Sequence, residues 1–118
     1  MTPGYAVVSN DGPFVEFAQG VVQRVMGSDA YFELPSPIMG AEDFGYFLRE
    51  APGCMVFLGA CPADIANSLE APSCHSNVMR IDEAALAHGI ALHVGIATEY
   101  LAAASATTDD VTTTTREG

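Results

Sequence analysis

The stretch APSCHSNVMRIDE, residues 71–83, sets His75 between a cysteine and a serine, at the end of a long irregular segment and just before a helix-starting pattern. An imidazole on such a loop can present a ring nitrogen to a metal ion at about 2.0–2.1 Å while the loop holds its orientation. The same histidine, partly exposed, can equally make ordinary hydrogen bonds and no more. A second pattern, MGAEDF at 39–44, places Gly40, which permits close backbone approach, ahead of the adjacent carboxylates Glu42 and Asp43. That pair can steady a metal ligand or a substrate group, and acids in a first helical turn are also favoured by the helix dipole and its free amides. Cys74 is a weak candidate for direct chemistry, because side chains adjacent in sequence seldom converge on one target. His88 and His93 are five residues apart, which misses the i, i+4 spacing that lets two helical histidines share a metal. They read as packed or solvated.

The elements that must position these groups follow from turn chemistry and periodicity. YAVVS at 5–9 has strand character and NDGP breaks it. Pro13 suits the first position of a helix capped by Asp11 or Gly12, and Phe14, Phe17, Ala18, Val21, Val22 and Val25 then share one face up to a stop at Gly27. YFELP at 31–35 is a second candidate strand, and a second helix is expected from about Ala41 to Glu50 with Phe44, Phe47 and Leu48 inward. CMVFLG at 54–59 is a continuous apolar run, as in a strand buried on both faces. A long loop follows, of the length that is often functional. The last helix starts near Asp82 with Leu86, Ile90, Val94, Ala97 and Leu101 on one stripe, thickened by Ala85, Leu92 and Ile96. Beyond Ala104 the sequence falls into low complexity, the pattern of a disordered tail. The order of elements is an α/β reading.

The chain has 118 residues, enough for one domain. Fifteen acids against four arginines give a formal net charge of -11, which repels phosphate backbones and anionic lipid and argues against nucleic acid and membrane partners. Three cysteines without C-x-x-C spacing point away from a disulfide scaffold, and with no signal-peptide pattern at the N-terminus the expected compartment is the cytoplasm. The apolar run from Glu83 to Ala104 carries His88, His93, Glu99 and two glycines, a poor composition for a bilayer span.

PIMGAEDFGYFL, PGCMVFLGACP and HSNVMRIDEAAL, in that order between about Tyr5 and Leu101, resemble the closing segment of the aminoacylase and carboxypeptidase family of metal-dependent amidohydrolases. Within that family they resemble the branch with hippurate hydrolases and indole-acetyl-amino-acid hydrolases. The resemblance implies an α/β fold, the C-terminal part of a zinc-peptidase-like catalytic domain with a mixed sheet and helices, incomplete as it stands. Residues 1–12 would end the lid or dimerisation domain and cross over, residues 13–103 would belong to the catalytic domain, and 104–118 would be the disordered tail. It implies that His75 is a ligand of a centre of two divalent ions (zinc, manganese, cobalt or nickel), with Gly40, Glu42 and Asp43 supporting the metals or the substrate. The implied reaction is hydrolysis of the amide bond of an N-acyl amino acid or similar small substrate. The family's remaining ligands and its general-base glutamate have no counterpart in this sequence, so at most one ligand and no catalytic residue is expected here. The expectation is a fragment inactive by itself, associating with the missing catalytic half or forming a homodimer. The alternative is a non-catalytic module that binds such a partner half or another copy of itself through uncovered apolar surface.

Overall fold

The computed structural model describes residues 4–40 and 42–114, with side chains through residue 105. Two α-helices, α1 (Gly12–Met26) and α2 (Ala84–Thr114), pack against each other, and two short 3₁₀ helices, Phe44–Arg49 and Ser68–Glu70, punctuate the stretch between them.

The local chemistry of α1 is the one its sequence dictates. The Asp11 carboxylate accepts from the Phe14 amide at 2.9 Å, Pro13 sits in the first turn, and Gly27 ends the helix with its amide bonded to the Gln23 carbonyl. Gly27 has φ of 103°, a conformation a side chain would oppose. At the start of α2 the Asp82 side chain accepts from the Ala84 amide at 3.0 Å. The α2 backbone continues to Thr114, past Ala104 where the composition changes; extending an existing helix costs far less than starting one. Residues 115–118 lie outside the described residues.

Among the described residues Ala18, Val21, Val22, Ala85 and Leu92 form the buried hydrophobic core, with Phe17, Met26, Tyr31 and Ile96 packed around Val21, Val22 and Leu92. The helices approach closely at Gly95, where an added Cβ would lie 2.8 Å from Val21 Cγ1. Phe14, Phe17 and Tyr100 form a ring cluster at one end of this seam, with centroids 5.6–5.9 Å apart. Arg24 pairs with Glu99 across it. The face of α2 that packs is the one carrying Ala85, Leu92 and Ile96. The longer stripe of Leu86, Ile90, Val94 and Leu101 is left in solvent, Ile90 at 66% exposure.

The expected α/β architecture with a mixed sheet does not form: among the described residues there is no strand. YAVVS, YFELP and CMVFLG are all irregular, and Phe57 is 59% exposed where burial on both faces was expected. The reason lies in the origin of strand hydrogen bonds. A helix satisfies its amides within itself, but a strand needs a second strand alongside. Here the Met55 amide bonds the Asn10 side chain, and the Gly53 and Ala60 carbonyls take the amides of Asp11 and Asp82. Apolar runs report a demand for cover, not the backbone that provides it.

The expected helix over 41–50 is likewise reduced to the 3₁₀ turn Phe44–Arg49. Its three-residue repeat stacks Phe44 on Phe47 with centroids 5.9 Å apart and leaves Phe47 67% exposed instead of inward. The residue it buries is Gly45, over which the backbone of Ala6 and Val7 passes; a Cβ there would meet both carbonyl oxygens at 2.9 Å.

The chain is therefore thinly packed. Its accessible surface is 9588 Å², against about 6,100 Å² for a compact chain of this mass. Its radius of gyration is 18.6 Å, where roughly 13–14 Å is usual for this length.

Candidate functional site

His75 projects from the loop between Ala60 and α2, and it is exposed. The loop is closed at its base by the Asp82 amide donating to the Ala60 carbonyl at 2.9 Å. Just inside that bond Arg80 grips Asp64 with two parallel hydrogen bonds, 2.9 and 3.0 Å long. The Arg80 guanidinium holds the Asp64 carboxyl below the usual carboxylate range. From Arg80 back to His75 the chain is a pair of linked turns. The Met79 amide donates to the Ser76 carbonyl, the Val78 amide to Ser76 Oγ, and the Ser76 amide to the Ser73 carbonyl. Cys74 is exposed, and all three cysteines are free thiols. Burial raises the pKa of Cys54, the opposite of what a reactive thiolate needs.

Glu42 turns inward on its own backbone. One carboxylate oxygen accepts from the amides of Asp43 at 2.9 Å and Phe44 at 3.2 Å, and the Phe44 amide is the main reason its pKa falls. Glu42 thus caps the 3₁₀ turn, and a side-chain hydrogen bond with Asp43 lowers its pKa further. Asp43 is exposed and makes no capping bond. Gly40 is exposed too, and a Cβ there would meet nothing within 4 Å, so no contact among the described residues calls for glycine at that position. The Nδ1–H groups of His88 and His93 donate to the carbonyls of Ala84 and Gly89, one turn back along α2.

Among the described residues no hydrogen bond or ion pair joins His75 to Glu42 or Asp43. Nor, among the described residues, is any group of three or more histidine, cysteine, aspartate and glutamate side chains placed to hold a metal ion. Two open depressions, of about 460 and 350 Å³, flank the first 3₁₀ helix; neither is lined by His75, Gly40, Glu42 or Asp43. No helix among the described residues is long and apolar enough to cross a membrane.

Residues 1–99 match the model of peptidase family M20/M25/M40. The chain belongs to that family. It is 37% identical over 94 residues to IAA-amino acid hydrolase ILR1-like 2 of Arabidopsis thaliana, an overlap of 80% of this chain and 20% of the relative. It is 32% identical over 108 residues to IAA-amino acid hydrolase ILR1-like 4 of the same plant, covering 90% of this chain and 23% of that protein. It is 40% identical over 85 residues to N-acetyldiaminopimelate deacetylase of Leuconostoc citreum, covering 72% and 19%. The chain therefore spans about a fifth of the length of these relatives.

Members of the M20 family are in general metal-dependent. The donors described here do not suffice for a metal centre: one exposed imidazole on a turn cannot hold two ions. Two features of the loop and one of the 3₁₀ helix carry no sequence motif. Asp64 and Arg80 lie sixteen residues apart, and Gly45 meets the backbone near residue 6. The only hint of the last is a residue without a side chain between two aromatics, in FGYF.

Proposed function

We propose that this chain is one section of an M20-family hydrolase that cleaves the amide bond of N-acyl amino acids or similar small substrates, and that it is inactive alone. Family membership over residues 1–99 carries the reading. The names of the relatives, an IAA-amino acid hydrolase and an N-acetyldiaminopimelate deacetylase, both describe removal of an acyl group from an amino acid. In this reading His75 contributes one imidazole to a centre of two divalent ions, drawn from zinc, manganese, cobalt or nickel, whose other ligands lie on polypeptide outside this chain. Such a centre activates water and polarises the scissile carbonyl. The part played here is to hold His75 on a tethered loop, with Glu42 and Asp43 beside the first 3₁₀ turn as supporting groups. The excess of exposed surface, including Leu86, Ile90, Val94 and Leu101 on α2, supports association with the rest of such an enzyme.

The test is hydrolysis of hippurate with manganese or zinc present. The isolated chain is expected to give no metal-dependent rate. Mixed with the preceding four-fifths of a close relative, it is expected to give one, and His75→Ala should abolish it. Hydrolysis by the isolated chain, or full activity of the His75→Ala mixture, would contradict the proposal.

A further inference from the structure

We propose that Asp64 and Arg80 are positioning residues for His75. Between Ala60 and Asp82 the loop holds no α-helix or strand, only the three-residue 3₁₀ turn Ser68–Glu70 and isolated turns. A stretch of this kind keeps a fixed course only if its ends are held. The Asp82-to-Ala60 backbone bond holds them at one point, which by itself leaves the loop free to swing. The two-point Arg80–Asp64 grip, planar guanidinium against planar carboxylate, removes that freedom because it sets an orientation as well as a distance.

The grip also joins two turns. Asp64 lies within the turn closed by the Ile65 amide on the Pro62 carbonyl, and Arg80 directly follows the turn closed by Met79 on Ser76. Through Ser76, whose backbone accepts from Met79 and donates to Ser73, the orientation of Arg80 is passed to the turn in which His75 sits. Lysine at position 80 could supply the charge but not the two-point geometry. Both partners are more than half exposed, so the pair adds little to global stability and acts on the local course of the loop.

The purpose assigned to this grip rests on the reading of His75 as a ligand, but its test requires neither metal nor substrate. Backbone ¹⁵N relaxation and His75 ring ¹³C shifts are to be measured on the full chain as wild type, Asp64→Ala, Arg80→Ala, Arg80→Lys and the double swap Asp64→Arg/Arg80→Asp. In either alanine variant, order parameters over residues 73–79 are expected to drop from about 0.85 to below about 0.6, with the His75 ring shifts moving to random-coil values. The charge swap should restore both and lysine should restore them only in part, while α1 and α2 signals stay unchanged. If a variant fails to fold, wild type in 1 M sodium chloride gives the same test, since screening loosens an exposed pair. Unchanged order and ring shifts in the alanine variants, or in wild type at high salt, would overturn the proposal. A failed hydrolysis assay would instead remove the ligand role and leave the grip intact.

Discussion

The α1–α2 pair and the stretch that joins them, residues 28–83, follow opposite rules. The helices carry their own hydrogen bonds, their own caps and a shared apolar seam, so Val21 and Leu92 are buried without help from elsewhere. The connecting stretch contains the motifs that mark the family, yet many of its large apolar side chains, Phe32, Met39, Phe47 and Phe57 among them, stand in solvent. Its order comes from single tethers: Met55 to Asn10, Asp82 to Ala60, Arg80 to Asp64. Helices that satisfy their own amides can meet along a seam between residues some seventy positions apart, whereas apolar runs without a pairing backbone stay irregular.

That contrast can be broken most easily at the helical seam. Leu92→Ala removes a side chain that is 7% exposed from the centre of the pair and should cost about 2–4 kcal/mol. Leu92 sits in the small buried cluster of the seam, so circular dichroism should show a lower and less cooperative melt. Gly95→Val comes next: its Cβ would fall within 2.8 Å of Val21 Cγ1, and forcing the helices apart should cost about 1–3 kcal/mol, read from a urea midpoint.

In the connecting stretch the effects should be smaller. Arg80 depresses the Asp64 pKa. A depressed carboxylate pKa means that the pair's contribution is present above the ordinary carboxylate value and is lost as pH falls through the folded one. Acidification should therefore loosen the loop around Ser76–Met79 before it affects the helices, as followed by amide chemical shifts. Loss of order on raising the pH from neutral instead would reverse the assigned sign. Phe32→Ser, at a ring 76% exposed, should change stability by no more than about 0.5 kcal/mol. A large loss there would show that the stretch is packed after all.

The same division explains what was legible in the sequence. The caps at Asp11, Gly27 and Asp82 and the apolar stripe of α1 are local signals, and the helices start or stop where those signals stand. On α2 the seam was legible but its facing was not: the stripe of Leu86, Ile90, Val94 and Leu101 dominates the pattern, whereas the side that packs is the minor one through Ala85, Leu92 and Ile96. The three expected strands failed because periodicity identifies side chains that need cover without identifying a pairing backbone. The family was legible from three ordered motifs. The Asp64–Arg80 grip was not, because neither residue carries a pattern and their meeting depends on how the loop folds back.

Among the described residues the donors of this chain do not come together as a metal centre. Calorimetric titration of the purified chain with zinc addresses it directly. No stoichiometric, high-affinity binding is expected, and no change when His75 is replaced by alanine. Tight uptake of two ions per chain, abolished by His75→Ala, would contradict it.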